Sequence, residues 1–155
     1  MNADGTGLTR LTNDPAIDFL PALSGNGKQI AFTSDRAGNY DLYVLNADGT
    51  GLTRVTTDPA NDGGPAWSGD DKQLAFTSAR DGNAEIYLMN VDGTGLTRLT
   101  NHPAGDGGPQ WSSNGKQIAF NSSRDGNDEI YVMNADGTGL TNLTRHPSLD
   151  NEPDW

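Results

Sequence analysis

The sequence predicts an all-β protein made of β-propeller blades, and three observations lead to that fold class. A segment of 44 residues recurs along the chain without insertion or deletion. Each copy contains four short patterns typical of antiparallel strands, separated by turn sequences, and no segment has the periodicity of a helix. Four strands in a repeat of this length are typical of one propeller blade.

The repeat is clearest in the segment NADGTGLTRLT at 2–12, which returns almost unchanged at 46–56, 90–100 and 134–144. A proline keeps the same spacing in every copy. It stands at Pro15, Pro59, Pro103 and Pro147. Because the spacing never changes, we expect residues 1–155 to form a single, partial propeller domain.

Within one repeat the four strand patterns follow each other between 61 and 100. Turn sequences such as Asp81-Gly82 and Asp92-Gly93 separate them, because glycine accepts the positive φ that tight turns require. We name the strands a, b, c and d from the channel of the propeller outward. They are expected at 63–68 (GGPAWS), 73–78 (QLAFTS), 84–89 (AEIYLM) and 95–100 (GLTRLT).

The same pattern divides the whole chain into blades. It reads d, then abcd three times, then a. We expect three complete blades at 18–56, 62–100 and 106–144. The remnants are an outer strand within residues 1–12, at 7–12, and an inner strand at 150–155.

The segment WSGDDKQLAFTSARDGNAEIYLMNVDGTGLTRLT at 67–100 resembles the TolB-type β-propeller repeat. The recurring elements of that family are Trp-Ser-Pro-Asp-Gly, Ile-Ala-Phe, Asp-Gly-Asn, Ile-Tyr and Asn-Asp-Gly. This chain departs from them at Gly69-Asp70-Asp71, which replaces Pro-Asp-Gly, and at Leu23, which replaces the tryptophan in blade 1. The resemblance implies a six-bladed ring, a bacterial periplasmic or extracellular location, and a peptide or protein segment bound at the channel mouth.

Composition limits the partners that the protein can have. The net charge of −11 argues against nucleic acid, whose phosphates require Lys and Arg. Hydrophobic residues make up 33% of the chain, and no apolar run approaches the roughly 20 residues of a membrane helix, so we expect no membrane insertion. The start of this chain lacks the pattern of a signal peptide.

Three blades cannot close a ring, so the chain is expected to associate with itself. An open arc would expose one apolar face at each end. If each face covered about 800 Å², the lost burial would be about 20 kcal/mol per face. The simplest solution is a homodimer in which two chains form a six-bladed ring, with the remnant strands at its two seams.

Four acidic residues mark a possible cation site at the channel mouth. Asp18, Asp62, Asp106 and Asp150 occupy equivalent positions just before strand a, which lines the channel. Carboxylates facing one space favour a cation, and Ca²⁺ prefers oxygen ligands in flexible geometry. The competing interpretation is that each carboxylate binds the backbone of an adjacent loop.

The remaining motifs of the sequence give no indication of catalysis. Asp81-Gly82-Asn83 followed by Glu85, and the equivalent segment before Glu129, lack the spacing of an EF-hand. We interpret them as b–c hairpin turns whose arginine bridges two blades. The sequence contains no nucleophile elbow and no His/Cys cluster of metal-binding type. We therefore expect a non-catalytic scaffold or binding module, with two alternatives: an accessory propeller excised from a peptidase-type enzyme, or an engineered model of propeller assembly.

Overall fold

The computed structural model describes residues 4–145, 147–151 and 153, and this part of the chain contains three four-stranded antiparallel sheets and no helix. Blade 1 consists of β1 (Asp18–Leu23), β2 (Gln29–Ser34), β3 (Asp41–Asn46) and β4 (Thr53–Arg54). Blade 2 consists of β5 (Asp62–Trp67), β6 (Gln73–Ser78), β7 (Glu85–Asn90) and β8 (Thr97–Arg98). Blade 3 consists of β9 (Asp106–Trp111), β10 (Gln117–Ser122), β11 (Glu129–Asn134) and β12 (Thr141–Asn142). The propeller-blade fold class is confirmed.

The outer strand of every blade is much shorter than the sequence predicts. In blade 2 the pairing of β7 with β8 covers only Tyr87 with Arg98 and Leu88 with Thr97. The next backbone N–H, that of Ile86, donates to the hydroxyl of Thr100 at 2.9 Å instead of to a backbone oxygen. The side-chain hydroxyl replaces the backbone oxygen that would continue the β-ladder, so the strand ends there.

The inner strand of each blade contains a β-bulge. In β5 the register with β6 shifts between Gly63 and Ala66, and Gly64 has a φ of +64°. Gly108 repeats this conformation in β9, with a φ of +61°. In β1 the same position is Leu20, whose φ of +49° lies in the left-handed region that disfavours a side chain.

Each blade has two chemically different faces. The leading face, which is turned toward the preceding blade, carries the large side chains, and the trailing face, turned toward the following blade, carries smaller ones. Between blades 1 and 2, Trp67 also donates its indole N–H to the backbone oxygen of Ala22 at 2.9 Å. The core there joins Ala31, Leu42 and Val44 of the trailing face to Leu74, Phe76, Tyr87 and Met89 of the leading face.

The interface between blades 2 and 3 repeats this arrangement. Ala75 and Ile86 form the trailing side. Ile118, Phe120, Tyr131 and Met133 form the leading side, with Trp111 packed against them. The two interfaces differ in that the indole N–H of Trp111 is buried without a hydrogen-bond partner among the described residues. Their similar apolar contacts stack the three blades in one direction, as in an arc of a propeller.

The two terminal remnants differ from the expectation. Residues 7–12 form no strand, because no strand of the described residues lies beside them to pair with. Leu11 nevertheless packs against the leading face of blade 1, beside Phe32, Tyr43 and Leu45. Of the expected inner strand at 150–155, residues 150, 151 and 153 are described and are not in a strand, whereas residues 152, 154 and 155 lie outside the described part of the chain. No helix in the described part of the chain is long and apolar enough to cross a membrane.

Candidate functional site

The repeated aspartates lie where the inner strands begin. Asp18, Asp62 and Asp106 are the first residues of β1, β5 and β9. Asp62 and Asp106 are buried, with 1% of their surface exposed, whereas Asp18 is half-buried. The backbone N–H of Asp150 donates to the oxygen of Asp128 at 2.8 Å. The N–H groups of Asp62 and Asp106 make the same contact with the preceding blade, so Asp150 holds the position that begins a further inner strand.

An arginine of the same blade binds the carboxylates of Asp18, Asp62 and Asp106. The distances from the guanidinium nitrogen to the nearest carboxylate oxygen are 2.8 Å for Arg36–Asp18, 3.0 Å for Arg80–Asp62 and 2.7 Å for Arg124–Asp106. The interpretation that these arginines bridge two blades is therefore wrong for their ion pairs. Each ion pair joins strand a to the b–c turn of the same sheet.

Aromatic rings and a serine fix the orientation of each arginine. In blade 2, Arg80 donates from Nε to the hydroxyl of Ser78 at 2.8 Å. Its guanidinium lies 5.7 Å from the ring centre of Phe76 and 4.9 Å from that of Tyr87, within the range of cation–π attraction. Arg36 and Arg124 have equivalent contacts in their blades. The guanidinium thus provides each aspartate with a fixed positive charge.

This pairing bears on the predicted calcium site. Among the described residues no three His, Cys, Asp or Glu side chains come together as metal ligands would. Burial raises the pKa of Asp18, but hydrogen bonds from Ser34 and Arg36 outweigh it and leave that pKa below its usual value. One oxygen of Asp106, Oδ1, is buried and accepts no hydrogen bond from the described residues. The cation site stays a prediction, and any cation would compete with the arginines.

A second set of acids is buried, which the sequence did not predict, although Glu85 and Glu129 were noted in the comparison with the EF-hand. Asp41, Glu85 and Glu129 begin the third strand of each blade, with 0%, 0% and 3% of their surface exposed. Glu85 accepts hydrogen bonds from Arg98 at 2.9 Å, from Thr100 at 2.6 Å and from the backbone N–H of His102 at 2.8 Å. The detectable signal was the repeat itself, which places an acid in β3, β7 and β11 and a threonine after each outer strand.

The environments of these acids differ between blades. Burial raises the pKa of Glu85, but hydrogen bonds from Thr100, His102 and Asn83 outweigh burial and leave that pKa below its usual value. Burial dominates at Asp41 and raises its pKa, although Arg54 binds it at 2.7 Å. The longer side chain of Glu85 reaches more donors than that of Asp41, which accounts for the opposite directions.

The outermost blades leave two faces without a neighbouring blade. On the trailing face of blade 3, Ile130 is half-buried, whereas its equivalents Leu42 and Ile86 are 0% exposed. At the leading end of blade 1, Leu23 is 60% exposed, whereas its equivalent Trp67 is 8% exposed. The rest of these faces is better covered than expected, because Phe32 and Val132 remain buried. Part of each open face is therefore already covered by other residues of the same chain.

The arc of blades defines the fold as that of a β-propeller of repeated four-stranded sheets. Among solved structures, the chain is similar to TolB-type propellers. It is similar to a structure described as putative TolB from Agrobacterium tumefaciens, with a TM-score of 0.77 and 26% identity over 85% of this chain and 50% of that one. It is also similar to TolB from Acinetobacter baumannii, with a TM-score of 0.77 and 25% identity over 86% of this chain and 34% of that one.

The chain spans only half and about one third of the length of these two structures. A puromycin-hydrolysing peptidase from Mycobacterium tuberculosis shares the fold, with a TM-score of 0.73 and 18% identity over 93% of this chain and 24% of that one. No protein-family model matches the chain, and no curated protein matches it. The likeness to TolB therefore rests on structure and on the repeat elements quoted above.

Proposed function

We propose that this protein is a non-catalytic propeller scaffold that closes its ring by binding a second copy of itself. The observation that carries the proposal is the chemical match between its two open faces. The open trailing face, with Ala119, Ile130 and Val132, repeats the faces that blades 1 and 2 already bury. The open leading face is of the type that covers them. It carries Ile30, Phe32, Tyr43 and Leu45.

Association of this kind is head to tail, because a leading face fits a trailing face. Such contacts form a closed ring when the rotation between copies closes, and a filament when it does not. Two copies of three blades give the six blades that the TolB resemblance implies.

The free energy that favours ring closure comes from burying apolar side chains that are exposed at the two seams of the dimer. Fully burying one aliphatic side chain stabilises by about 1.5–3 kcal/mol. Leu23 and Ile130 would be buried at each seam, and the two seams of a dimer form together. The second seam forms within one complex, so it avoids a second loss of translational freedom.

The ring would present the beginnings of its inner strands around one channel mouth. By likeness to TolB, we propose that a peptide or protein segment binds there, and that the natural location is periplasmic or extracellular. The guanidinium groups of Arg36, Arg80 and Arg124 neutralise the aspartates at this mouth. A ligand would therefore meet paired charges rather than an acidic ring.

The deciding experiment is the absolute mass in solution, measured by light scattering on a sizing column. The expected result is twice the chain mass of 16.4 kDa. The substitution Leu23→Asp places a charge in the seam and should give a monomer. Leu96→Asp is the matched control, because Leu96 is 44% exposed on blade 2, away from both seams. A monomeric wild-type protein would refute the proposed association.

A further inference from the structure

Two segments of the chain have nearly the same sequence, and both fit the outer-strand position of a blade. Residues 7–12 read Gly-Leu-Thr-Arg-Leu-Thr, and residues 139–144, which contain β12, read Gly-Leu-Thr-Asn-Leu-Thr. They differ only at Arg10 and Asn142. The second segment contains the outer strand of blade 3, whereas the first lies before blade 1 and pairs with no strand of the described residues.

Residues 7–12 nevertheless lie against blade 1 as an outer strand lies against the blade that follows it. A Cβ added at Gly49 would lie 3.5 Å from the backbone oxygen of Leu11, as one at Gly93 would lie 2.9 Å from that of Val55 and one at Gly137 would lie 3.0 Å from that of Leu99. The Nε of Arg10 donates to the oxygen of Thr12 at 2.6 Å. Equivalent bonds of 2.9 Å and 2.7 Å form in the outer strands of blades 1 and 2. The segment therefore holds the position that the outer strand of a blade preceding blade 1 would have.

Ring closure brings the two segments into conflict. When blade 3 of a second copy packs on blade 1, its own outer strand arrives where residues 7–12 already lie. One of the two segments must leave. The single difference between them, Arg10 against Asn142, is therefore the chemical basis for the choice.

The outer-strand arginine has a defined role in the other blades. Arg54 binds Asp41 at 2.7 Å, and Arg98 binds both Glu85 at 2.9 Å and Asp81 at 3.3 Å. In blade 3, Asn142 donates to Asp125 at 2.9 Å but carries no charge. Arg10 is exposed, and within the described residues it forms no ion pair.

We propose that the two copies exchange strands: residues 7–12 of one copy replace β12 beside β11 of the other, where Arg10 pairs with Glu129 and Asp125. This inference rests on the proposed association. A charge-assisted hydrogen bond from arginine to a carboxylate is stronger than the neutral bond that asparagine makes. The exchange therefore gives blade 3 the contact that blades 1 and 2 already have.

The test uses engineered cysteines, since the chain contains none. Val132 pairs with Thr141 in the sheet, and residue 9 is the repeat equivalent of residue 141. Strand exchange predicts that the variant Thr9→Cys/Val132→Cys forms disulfides between chains, seen as a dimer on a non-reducing gel. The matched variant Thr141→Cys/Val132→Cys should remain reduced in the assembled protein, because its two positions are then separated.

Light scattering on the same samples separates the possible failures. A mass of two chains with a disulfide between residues 132 and 141, and none between 9 and 132, would overturn the exchange and leave the proposed association intact. A monomer would overturn both. The charge argument is tested by Asn142→Arg, which restores the arginine of blade 3 and should lower the yield of the 9–132 disulfide about tenfold. An unchanged yield would refute the role assigned to Arg10.

Discussion

The carboxylate of Asp71 in blade 2 binds two backbone N–H groups of blade 1, those of Gly25 at 2.6 Å and Asn26 at 3.0 Å. Asp71 has a φ of +59°, and the equivalent residues in the other blades are Gly27 and Gly115, with φ values of +70° and +67°. A non-glycine residue thus occupies a left-handed position in the one blade where its side chain joins two turns. The bond between blades offsets the unfavourable backbone conformation.

Two substitutions of Asp71 should separate the stabilising effect of its hydrogen bonds from the cost of its left-handed backbone conformation. Asp71→Gly loses the hydrogen bonds but relieves a conformation that costs about 1–2 kcal/mol for a residue with a Cβ, so its free energy of unfolding should remain close to that of the wild type. Asp71→Ala loses the hydrogen bonds and keeps the strain, and should be less stable than Asp71→Gly by about 1 kcal/mol. Urea unfolding measures both. Equal stability of the two variants would contradict the strain argument.

Leu20→Gly should stabilise the protein. Leu20 has a φ of +49° where the other blades have glycine, and 54% of its surface is exposed, so little packing is lost. We expect a gain of about 1 kcal/mol in the free energy of unfolding. Leu52→Gly is the control, because Leu52 is 45% exposed and is not among the residues with positive φ. A gain in the control variant as well would point to a cause other than the backbone.

Asp62→Asn should be strongly destabilising, because it leaves the guanidinium of Arg80 without its carboxylate. The side chain of Asp62 is 0% exposed and that of Arg80 is 14% exposed. Breaking one side of a buried ion pair typically costs 3–5 kcal/mol, and we expect about 3 kcal/mol here. The double variant Asp62→Asn/Arg80→Met should recover part of the loss. A double variant less stable than Asp62→Asn would show that Arg80 has a further role.

Calcium should not raise the melting temperature of the wild-type protein. The three arginines already supply the positive charge that a cation at the channel mouth would bring. Thermal unfolding with added Ca²⁺, and with a chelator as control, measures this. A calcium-dependent rise that Asp106→Asn abolishes would establish the cation site, with Oδ1 of Asp106 as a ligand.

Stability should fall between about pH 10 and pH 12. Burial, together with a hydrogen bond to Asp81, raises the pKa of Tyr87 to about 12. Burial and a hydrogen bond to Asp125 likewise raise the pKa of Tyr131 to about 12. A pKa that is higher in the folded than in the unfolded chain gives stability that is complete below the unfolded pKa and is lost as the pH rises through the folded one. The variant Tyr87→Phe/Tyr131→Phe should show a smaller fall in urea unfolding over this range, and an equal fall would refute the assignment.

The repeat period was sufficient to predict the fold, and the prediction was closest where backbone pairing alone decides the structure. The pattern at 73–78 coincides with β6, Gln73–Ser78. The strand predicted at 95–100 is only Thr97–Arg98 in the structure. The hydroxyl of Thr100 replaces a backbone acceptor and ends the strand. A strand pattern gives no indication of such a side-chain bond.

The candidate site was predicted less well. The repeat predicted Asp62 just before an inner strand, and in the structure it is the first residue of that strand. Its pairing with Arg80 depends on how the b–c turn folds back. The burial of Glu85 was missed for a similar reason, since its donors come from the outer strand and the loop after it. Contacts between segments far apart in a repeat are set by packing, which a single sequence does not reveal.

The ion pairs of the described residues all join groups within one blade, whereas the contacts between blades are apolar or uncharged apart from the Asp71 carboxylate. A gene segment that encodes one blade therefore carries both partners of each pair. Duplication, deletion or recombination at the repeat boundaries leaves no buried charge without its counter-ion. Chains of this type can change their number of blades through the genetic copying of whole repeats, and the near identity of the repeats here is the pattern that such copying produces.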